Sequence, residues 1–167
     1  YNGGTFPSNA TSDIWVLKTD SLGVLIWDQT FSGSLSEEGK SVDICLDGGY
    51  IVSGQTNSST GIGAGNHGGY DEIVLKLDAT GNLTWVKVFG GSNSDFGNSV
   101  ISLPDGGFIL GGSTESTNGD LDDDGLHYGS YWLKKLDALG NIEWSKRYGS
   151  GSCRLNSLVR SPDGHLV

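Results

Sequence analysis

The chain has 167 residues, of which 35% are hydrophobic, enough for one domain with a core. Its 10 basic and 20 acidic residues give a formal charge of −10, which disfavours nucleic acid and anionic membrane surfaces as partners and favours a cation. No stretch approaches the roughly 18 apolar residues of a membrane span, so membrane insertion is not expected. The 28 glycines indicate short strands and tight turns, and no helical apolar period is found.

Three sequence markers recur along the chain with one common spacing. Aspartates and tryptophans recur 58 and 59 residues apart, and turn glycines recur 58 apart: Asp20, Asp78 and Asp137; Trp27, Trp85 and Trp144; Gly48, Gly106 and Gly164. Markers that agree on one period indicate stacked supersecondary units. We assign residues 13–56, 71–114 and 130–167 to three copies, the last strand of the third being truncated. Residues 1–12 are the end of a preceding copy and a connector, and 57–70 and 115–129 are connectors.

Each copy is predicted to contain four short strands. The first strand covers 13–20, 71–78 or 130–137, and a glycine turn follows it. The second strand alternates, with one tryptophan and one further aromatic on the same face. The third strand ends at an Asp-Gly turn, for which we predict a type I′ hairpin with positive φ at both central residues. The fourth strand covers 50–56 or 108–114, where Gly54 and Gly112 suggest close backbone approach.

Four antiparallel strands at this period are typical of a β-propeller blade. A single blade cannot bury both of its faces, so neighbouring blades must stack. Because about six to eight blades close a ring and because the chain starts and stops inside a strand, we interpret it as a fragment. The predicted fold class is therefore all-β, a propeller segment of about three four-stranded blades from a larger propeller.

The connector 115–129 carries the sharpest departure from the repeat. It contains D-x-D-x-D-G from Asp120 to Gly125, and carboxylates at positions 1, 3 and 5 before a glycine are how calcium loops gather oxygen ligands. Position 12 is Tyr131 rather than glutamate, so the loop is not an EF-hand. We predict calcium binding by Asp120, Asp122 and Asp124. The alternative is a solvated acidic loop without a metal.

Residues present in every copy are interpreted as architectural. The repeated aspartates are predicted to cap turn amides, and the repeated tryptophans to pack between blades. His67 and His127 are predicted to order their loops, and the exposed aromatics Tyr1, Tyr70 and Tyr128 are candidates for ligand contact. Cys45 and Cys153 occupy non-equivalent places, so a disulfide between them is not expected. No catalytic residue is assigned.

The run GNLTWVKVFGGSNSDFGNSVISLPDGGFILGGST, residues 81–114, resembles the repeat of the SBBP-type bacterial β-propeller family. The connector 65–71 is also similar, and the likeness extends over essentially the whole chain. Copy one departs from the pattern, with Glu37 and Glu38 near the place of Asp95. The resemblance implies a secreted or cell-surface protein of Bacteroidetes-like bacteria, exported with a separate sorting domain such as that of type IX secretion. It implies no activity.

Two functions remain open on these grounds. The first is a non-catalytic surface module with calcium-stabilised loops, whose partners are other surface proteins, glycans or further blades of the parent chain. The second is a carbohydrate-active propeller enzyme, which needs two carboxyl groups about 5 to 10 Å apart. The non-repeated acids are spread over different copies and form no recognisable pair: Glu37, Glu38, Asp95, Glu115 and Glu143. We therefore expect the chain to be the module and not an enzyme.

Overall fold

The structure is a computed structural model that describes residues 11–121, 129–149, 151 and 155–167. Within these residues it contains β-strands and no helix. The strands are β1 (Ile14–Thr19), β2 (Leu25–Phe31), β3 (Glu37–Ile44), β4 (Tyr50–Thr56), β5 (Asp71–Leu77), β6 (Leu83–Phe89), β7 (Asp95–Ser102), β8 (Phe108–Thr114), β9 (Ser130–Leu136) and β10 (Ile142–Tyr148).

These strands form three antiparallel sheets. The first sheet is the pair β1–β2, the second is β3–β4–β5–β6 and the third is β7–β8–β9–β10, each in chain order. A last hairpin, residues 155–167, is held by a bridge between Arg160 and Leu166 and by paired hydrogen bonds of 3.0 Å between Val159 and Val167. We call it the terminal hairpin. The all-β class predicted from the sequence is confirmed.

The sheets are out of phase with the sequence copies by two strands. The second sheet combines the last two strands of copy one with the first two of copy two, and the connector 57–70 lies inside that sheet, between β4 and β5. The connector 115–129 likewise joins β8 to β9. Short loops, 32–36 and 90–94, lead from one sheet to the next. The boundaries 13–56 and 71–114 therefore mark the sequence period and not the hydrogen-bonded units.

The Asp-Gly hairpins do not have the predicted type I′ geometry. Gly48 donates its N–H to the carbonyl of Cys45 at 3.0 Å, and Gly48 has φ 79°. No described residue other than glycine has a positive φ, so Asp47 cannot be the first centre of a type I′ turn. The loop has three residues, with a glycine in the left-handed region at its end. Asp47 instead accepts the N–H of Gly49 at 2.9 Å.

The glycines inside the fourth strands mark close backbone approach, as predicted. A Cβ on Gly54 would lie 2.0 Å from the carbonyl oxygen of Glu38 on β3. A Cβ on Gly112 would lie 1.9 Å from the carbonyl oxygen of Phe96 on β7. Both distances are far inside van der Waals contact, so these strands accept only glycine at these positions.

Two apolar cores lie between successive sheets. The first core joins the first and second sheets: Ile14, Phe31, Val52, Ile73, Leu75 and Leu77. The second core is built mainly between the second and third sheets: Cys45, Ile51, Val74, Phe89, Val100, Phe108, Leu110, Trp132 and Leu136. Phe31 and Phe89 stand one period apart and are 8% and 6% exposed, so the first and second sheets each bury an equivalent phenylalanine against the next sheet.

The sheets are also linked by a hydrogen bond that repeats with the period. Ser41 Oγ accepts the N–H of Val100 at 3.2 Å, and Ser99 Oγ accepts the N–H of Leu158 at 3.0 Å. The two serines are 58 residues apart, as are their two donors. The terminal hairpin therefore stacks on the third sheet in the way that the third sheet stacks on the second.

Candidate functional site

The acidic connector is anchored to the loop between the second and third sheets. Asp120 Oδ2 accepts the N–H of Gly90 at 3.0 Å, and the N–H of Asp120 is donated to the carbonyl of Gly90 at 3.0 Å. This leaves Asp120 Oδ1 as the oxygen that could ligate a hard cation. Asp122 and Asp124, the other two predicted ligands, lie outside the described residues.

No group of three or more His, Cys, Asp or Glu side chains is arranged to hold a metal ion within the described part of the chain. The remaining carboxylate oxygen of Asp120 is the kind of ligand that calcium prefers. Calcium binding by this connector stays a prediction.

A buried carboxylate beside the connector joins two loops. Asp95 is fully buried, and its Oδ2 accepts the N–H of Gly91 at 2.8 Å and the hydroxyl of Ser116 at 2.7 Å. Its Oδ1 accepts the hydroxyl of Thr114. A carboxylate that accepts three hydrogen bonds in the interior is well compensated for its loss of water. Asp95 therefore fixes the loop after β6 to the end of β8.

Glu37 makes the same arrangement one period earlier. It is also fully buried, accepting the N–H of Gly33 at 2.7 Å, the hydroxyl of Thr56 at 2.8 Å and that of Ser58. We call each set a carboxylate clasp. The clasps were not identified from the sequence, although Thr-x-Ser after the fourth strand, at 56–58 and 114–116, accompanies an acid at the start of the third strand.

Asp71 is a second fully buried carboxylate near the same loop. Its Oδ2 accepts the N–H of His67 at 2.7 Å and lies 3.0 Å from His67 Nδ1. Its Oδ1 is buried without a hydrogen-bond partner. Burial, the largest cause, raises the pKa of Asp71 to about 6, and the negative charge of Asp95 adds to the rise while the His67 contacts oppose it.

Gly90 lies between these acids. A Cβ on Gly90 would lie 2.6 Å from Asp71 Oδ1 and 2.8 Å from Asp95 Oδ2. The backbone N–H of Gly90 also binds Asp120. The loop 90–94 thus brings three carboxylates from two sheets and one connector close together, and only a residue without a side chain fits among them.

A buried ion pair connects the second sheet to the third. Lys134 on β9 is fully buried and pairs with the carboxylate of Glu72 on β5, whose other oxygen accepts the hydroxyl of Ser53 at 3.1 Å. Lys134 Nζ also lies 3.0 Å from the ring centroid of Trp132. Burial, the largest cause, lowers the pKa of Lys134, and the charge of Glu72 opposes that shift.

The turn-capping role predicted for the repeated aspartates is confirmed for Asp20, Asp78 and Asp137. Asp78 Oδ1 accepts the N–H groups of Thr80 and Asn82 at 2.8 and 2.9 Å, and Asp20 and Asp137 cap equivalent turns. Hydrogen bonds from Thr80 and Asn82 lower the pKa of Asp78 to about 2.

The aromatic and histidine predictions have a mixed outcome. Trp27 packs edge-on against Tyr50, with ring centroids 5.5 Å apart, and Trp85 packs against Phe108 at 6.0 Å, so these tryptophans join neighbouring sheets as predicted. His67 orders its loop through Asp71, also as predicted. Tyr70 is half-buried and stacked on Phe96 rather than freely exposed. Four of the residues considered lie outside the described part of the chain: Tyr1, Tyr128, His127 and Cys153. Cys45 is a buried thiol.

Four of the five acids considered for catalysis are engaged in side-chain contacts. Glu37 and Asp95 form the clasps described above. Glu38 pairs with Lys40 on the surface, and Glu143 lies 2.9 Å from Lys135 Nζ. These contacts hold the acids in hydrogen bonds and ion pairs within or between neighbouring strands.

Comparisons with known proteins find solved structures with a similar fold but no matching family. No family model matches the chain, and no curated protein matches it. Six chains of solved structures match. One is a protein of unknown function from Bacteroides caccae, with 9% sequence identity and a TM-score of 0.54. The alignment covers 93% of this chain and 50% of that one, so this chain spans half the length of the neighbour. Among the described residues no helix is long and apolar enough to cross a membrane.

Proposed function

We propose that this chain is a segment of a β-propeller that serves as a non-catalytic structural and binding module of a secreted or cell-surface bacterial protein. One observation carries the proposal: successive sheets stack through the same contacts one period apart. Ser41 binds the N–H of Val100 as Ser99 binds that of Leu158. An array that repeats one interface is the arrangement from which propellers are built.

The chemistry of the acids supports a module over an enzyme. A glycoside hydrolase needs one carboxyl group to donate a proton and a second to act as nucleophile or base, both open to substrate. Asp95 and Glu37 have no exposed surface, and their oxygens are taken by backbone and hydroxyl donors. The SBBP-like repeat and the formal charge of −10 support an exported protein whose contacts are proteins or glycans rather than nucleic acid.

A screen on the intact parent protein separates the module from the enzyme. We expect no turnover of glycoside substrates, and we expect retention of glycans or surface proteins on an array that presents them. Glycoside turnover abolished by a single acidic substitution, in a variant that still melts like the wild type, would overturn the proposal.

We propose in addition that the acidic connector binds calcium through Asp120, Asp122 and Asp124. Calcium that binds the folded chain and not the unfolded chain raises the melting temperature with its concentration. We expect the 167-residue chain to show such a rise, measured by calorimetry in millimolar calcium against chelator. Replacing Asp122 and Asp124 by asparagine removes two charged ligands, so the rise is expected to disappear.

The matched control is Asp28→Asn together with Glu38→Gln, which removes two acids from the surface of strands β2 and β3. It changes net charge by the same amount and is expected to keep the calcium response. An equal response in both double variants would mean that calcium acts through general charge, and the connector site would be rejected.

A further inference from the structure

We infer that the chain modifies itself at Asn118–Gly119, where the asparagine loses its side-chain amide without an enzyme and becomes partly isoaspartate. The sequence contains two Asn-Gly pairs, and the other one, residues 2–3, lies outside the described residues. In such a pair the backbone nitrogen of the glycine reaches the side-chain carbonyl carbon of the asparagine and forms a cyclic imide. Glycine favours this reaction because it has no side chain to obstruct the ring.

The groups that react at this pair are open to solvent and free of internal contacts. Asn118 and Gly119 are both exposed. Within the described part of the chain, no residue accepts a hydrogen bond from the N–H of Gly119 or from the side-chain NH₂ of Asn118. The attacking nitrogen and the leaving amide group are therefore both available for reaction.

The corresponding groups elsewhere in the chain are held in hydrogen bonds. In the Asp-Gly turns the glycine nitrogen is engaged, since Gly48 donates its N–H to Cys45 and Gly106 donates its N–H to Leu103, each at 3.0 Å. Three other asparagines donate their side-chain NH₂ group to an acceptor in the protein and are followed by residues with side chains: Asn82, Asn93 and Asn141.

The loop 90–94 activates the side-chain carbonyl of Asn118. Ser92 donates its backbone N–H to Asn118 Oδ1 at 2.9 Å. The same oxygen lies against Gly91, where a Cβ would be 2.7 Å away. A backbone N–H directed at a carbonyl oxygen stabilises the negative charge that develops there when a nucleophile attacks the carbon. The fold therefore supplies a fixed donor to the carbonyl group that reacts.

The reaction needs only water. The Gly119 nitrogen releases its proton to water and bonds to Cγ of Asn118, after which the bond from Cγ to Nδ2 breaks and ammonia leaves with a proton taken from water. Water then opens the cyclic imide on either side. Opening at Cγ gives aspartate, whereas opening at the backbone carbonyl carbon gives isoaspartate, in which the main chain runs through the former side chain.

Isoaspartate adds one methylene to the main chain beside the anchor of the acidic connector. Asp120 follows two residues later and is joined to Gly90 by two hydrogen bonds of 3.0 Å. Gly119 has no room for a shift toward Gly90, because a Cβ on Gly119 would lie 2.1 Å from the Gly90 carbonyl oxygen. The longer main chain therefore displaces Asp120 and releases the connector from the loop 90–94.

This release should also weaken the calcium response of the connector, because Asp120 is one of the proposed ligands. That consequence rests on the proposed function, whereas the modification and the release do not. The modification thus converts an anchored connector into a released one as the protein ages.

Peptide mapping of the folded 167-residue chain, incubated in warm and mildly alkaline buffer, tests the modification. We expect a mass gain of about 1 Da at Asn118, with isoaspartate as part of the product. The amide should be lost at least about tenfold faster at Asn118 than at the internal controls Asn82, Asn93 and Asn141. An amide at Asn118 that persists as long as that of Asn82, or a product without isoaspartate, would overturn the inference.

Asn118→Asp separates the longer main chain from the added charge, because it carries the carboxylate on a normal main chain. Hydrogen exchange should be at least about tenfold faster at the N–H groups of Gly90 and Asp120 in the isoaspartyl fraction, and unchanged in Asn118→Asp. Asn118→Gln, incubated for the same time, should also keep the slow exchange. Equal exchange in the isoaspartyl fraction and in Asn118→Asp would contradict the release.

Calcium titration of the same samples separates failure of this inference from failure of the proposed calcium site. If the fresh chain shows no calcium response while Asn118 is converted and Asp120 is released, only the calcium site is rejected. If the fresh chain and the isoaspartyl fraction respond equally to calcium, the inferred displacement of Asp120 is rejected.

Discussion

Five ionisable side chains among the described residues are fully buried: Asp71, Asp95, Glu37, Glu72 and Lys134. The clasp carboxylates are saturated with hydrogen bonds and Glu72 is paired, whereas Asp71 keeps one oxygen without a partner. Asp71 is therefore the buried acid with the strongest structural reason to take up a proton.

The pH dependence of stability should reveal Asp71. Its pKa is raised from 3.8 to about 6 in the folded chain, so between about pH 4 and pH 6 the folded chain holds a proton that the unfolded chain has released. The free energy of unfolding therefore falls as pH rises through this window, by about 2 to 3 kcal/mol, and this contribution is constant above it. Asp71→Asn should flatten that fall, as measured by urea unfolding at several pH values.

Asp78→Asn is the matched control for this experiment. Hydrogen bonds lower the pKa of Asp78 to about 2, so its titration lies below the window. The control should shift the whole stability curve without changing its slope between pH 4 and pH 6. If the stability of Asp71→Asn and that of the wild type change equally with pH between pH 4 and pH 6, Asp71 is ionised across this range. Its Oδ1 then has a hydrogen-bond partner in solution.

Removing one partner of the ion pair between Glu72 and Lys134 should destabilise the folded chain strongly, whereas replacing both residues by apolar ones should not. Glu72→Gln leaves a buried ammonium group without its partner, and we expect a loss of about 3 to 5 kcal/mol. The double variant Glu72→Ile with Lys134→Leu carries the residues found one period earlier, Ile14 and Leu75, both buried in the first core. We expect it to unfold at a urea concentration near that of the wild type. Equal losses in the two variants would contradict the argument.

Residue roles could be predicted where they follow from local chemistry or from recurrence in every copy. The turn aspartates and His67 bind groups within five residues of themselves, and the sequence was sufficient for these. The partner of Glu72 lies 62 residues away on another sheet. Nothing in the local pattern indicates that pairing, although both residues interrupt apolar positions of the repeat.

At the scale of elements, strands were predicted more accurately than their connections. The fourth strands, 50–56 and 108–114, have the predicted bounds, and the first strands are shorter than predicted by one or two residues. The hairpin type was wrong because Asp-Gly can occupy the last two places of a three-residue loop as well as the two centres of a two-residue loop. Alternation and glycine position do not distinguish these loops.

The carboxylate clasps should stabilise the ends of the fourth strands. In Glu37→Gln an amide NH₂ replaces one acceptor oxygen, so one of the three buried donors loses its partner. We expect a loss of about 1 to 3 kcal/mol in urea unfolding.

Glu38→Gln is the control for the clasp, since Glu38 is the next residue and its ion pair with Lys40 is exposed. The control should cost less than about 1 kcal/mol. A loss in Glu37→Gln no larger than that of Glu38→Gln would show that the clasp contributes little.

For the whole molecule, the sequence predicted a repeat, but the predicted blade boundaries lie two strands away from those of the sheets. A period of 58 residues fixes how far apart equivalent strands lie, and it does not specify which two hairpins share a sheet. The phase is set by the length and packing of the loops. Loops 32–36 and 90–94 are tied by the clasps and lead between sheets, whereas the longer connectors bridge β4 to β5 and β8 to β9.

This phase has a consequence for how such a protein can change in length. Every complete sheet described here is shared by two consecutive sequence copies, which are joined by backbone hydrogen bonds between β4 and β5 or between β8 and β9. A duplication or deletion of one whole period in the gene changes the number of sheets by one. Each remaining strand then pairs with the same neighbouring strand of the repeat as before. Recombination at any point in the repeat preserves the sheets, so the copy number can vary while the fold of each unit is kept.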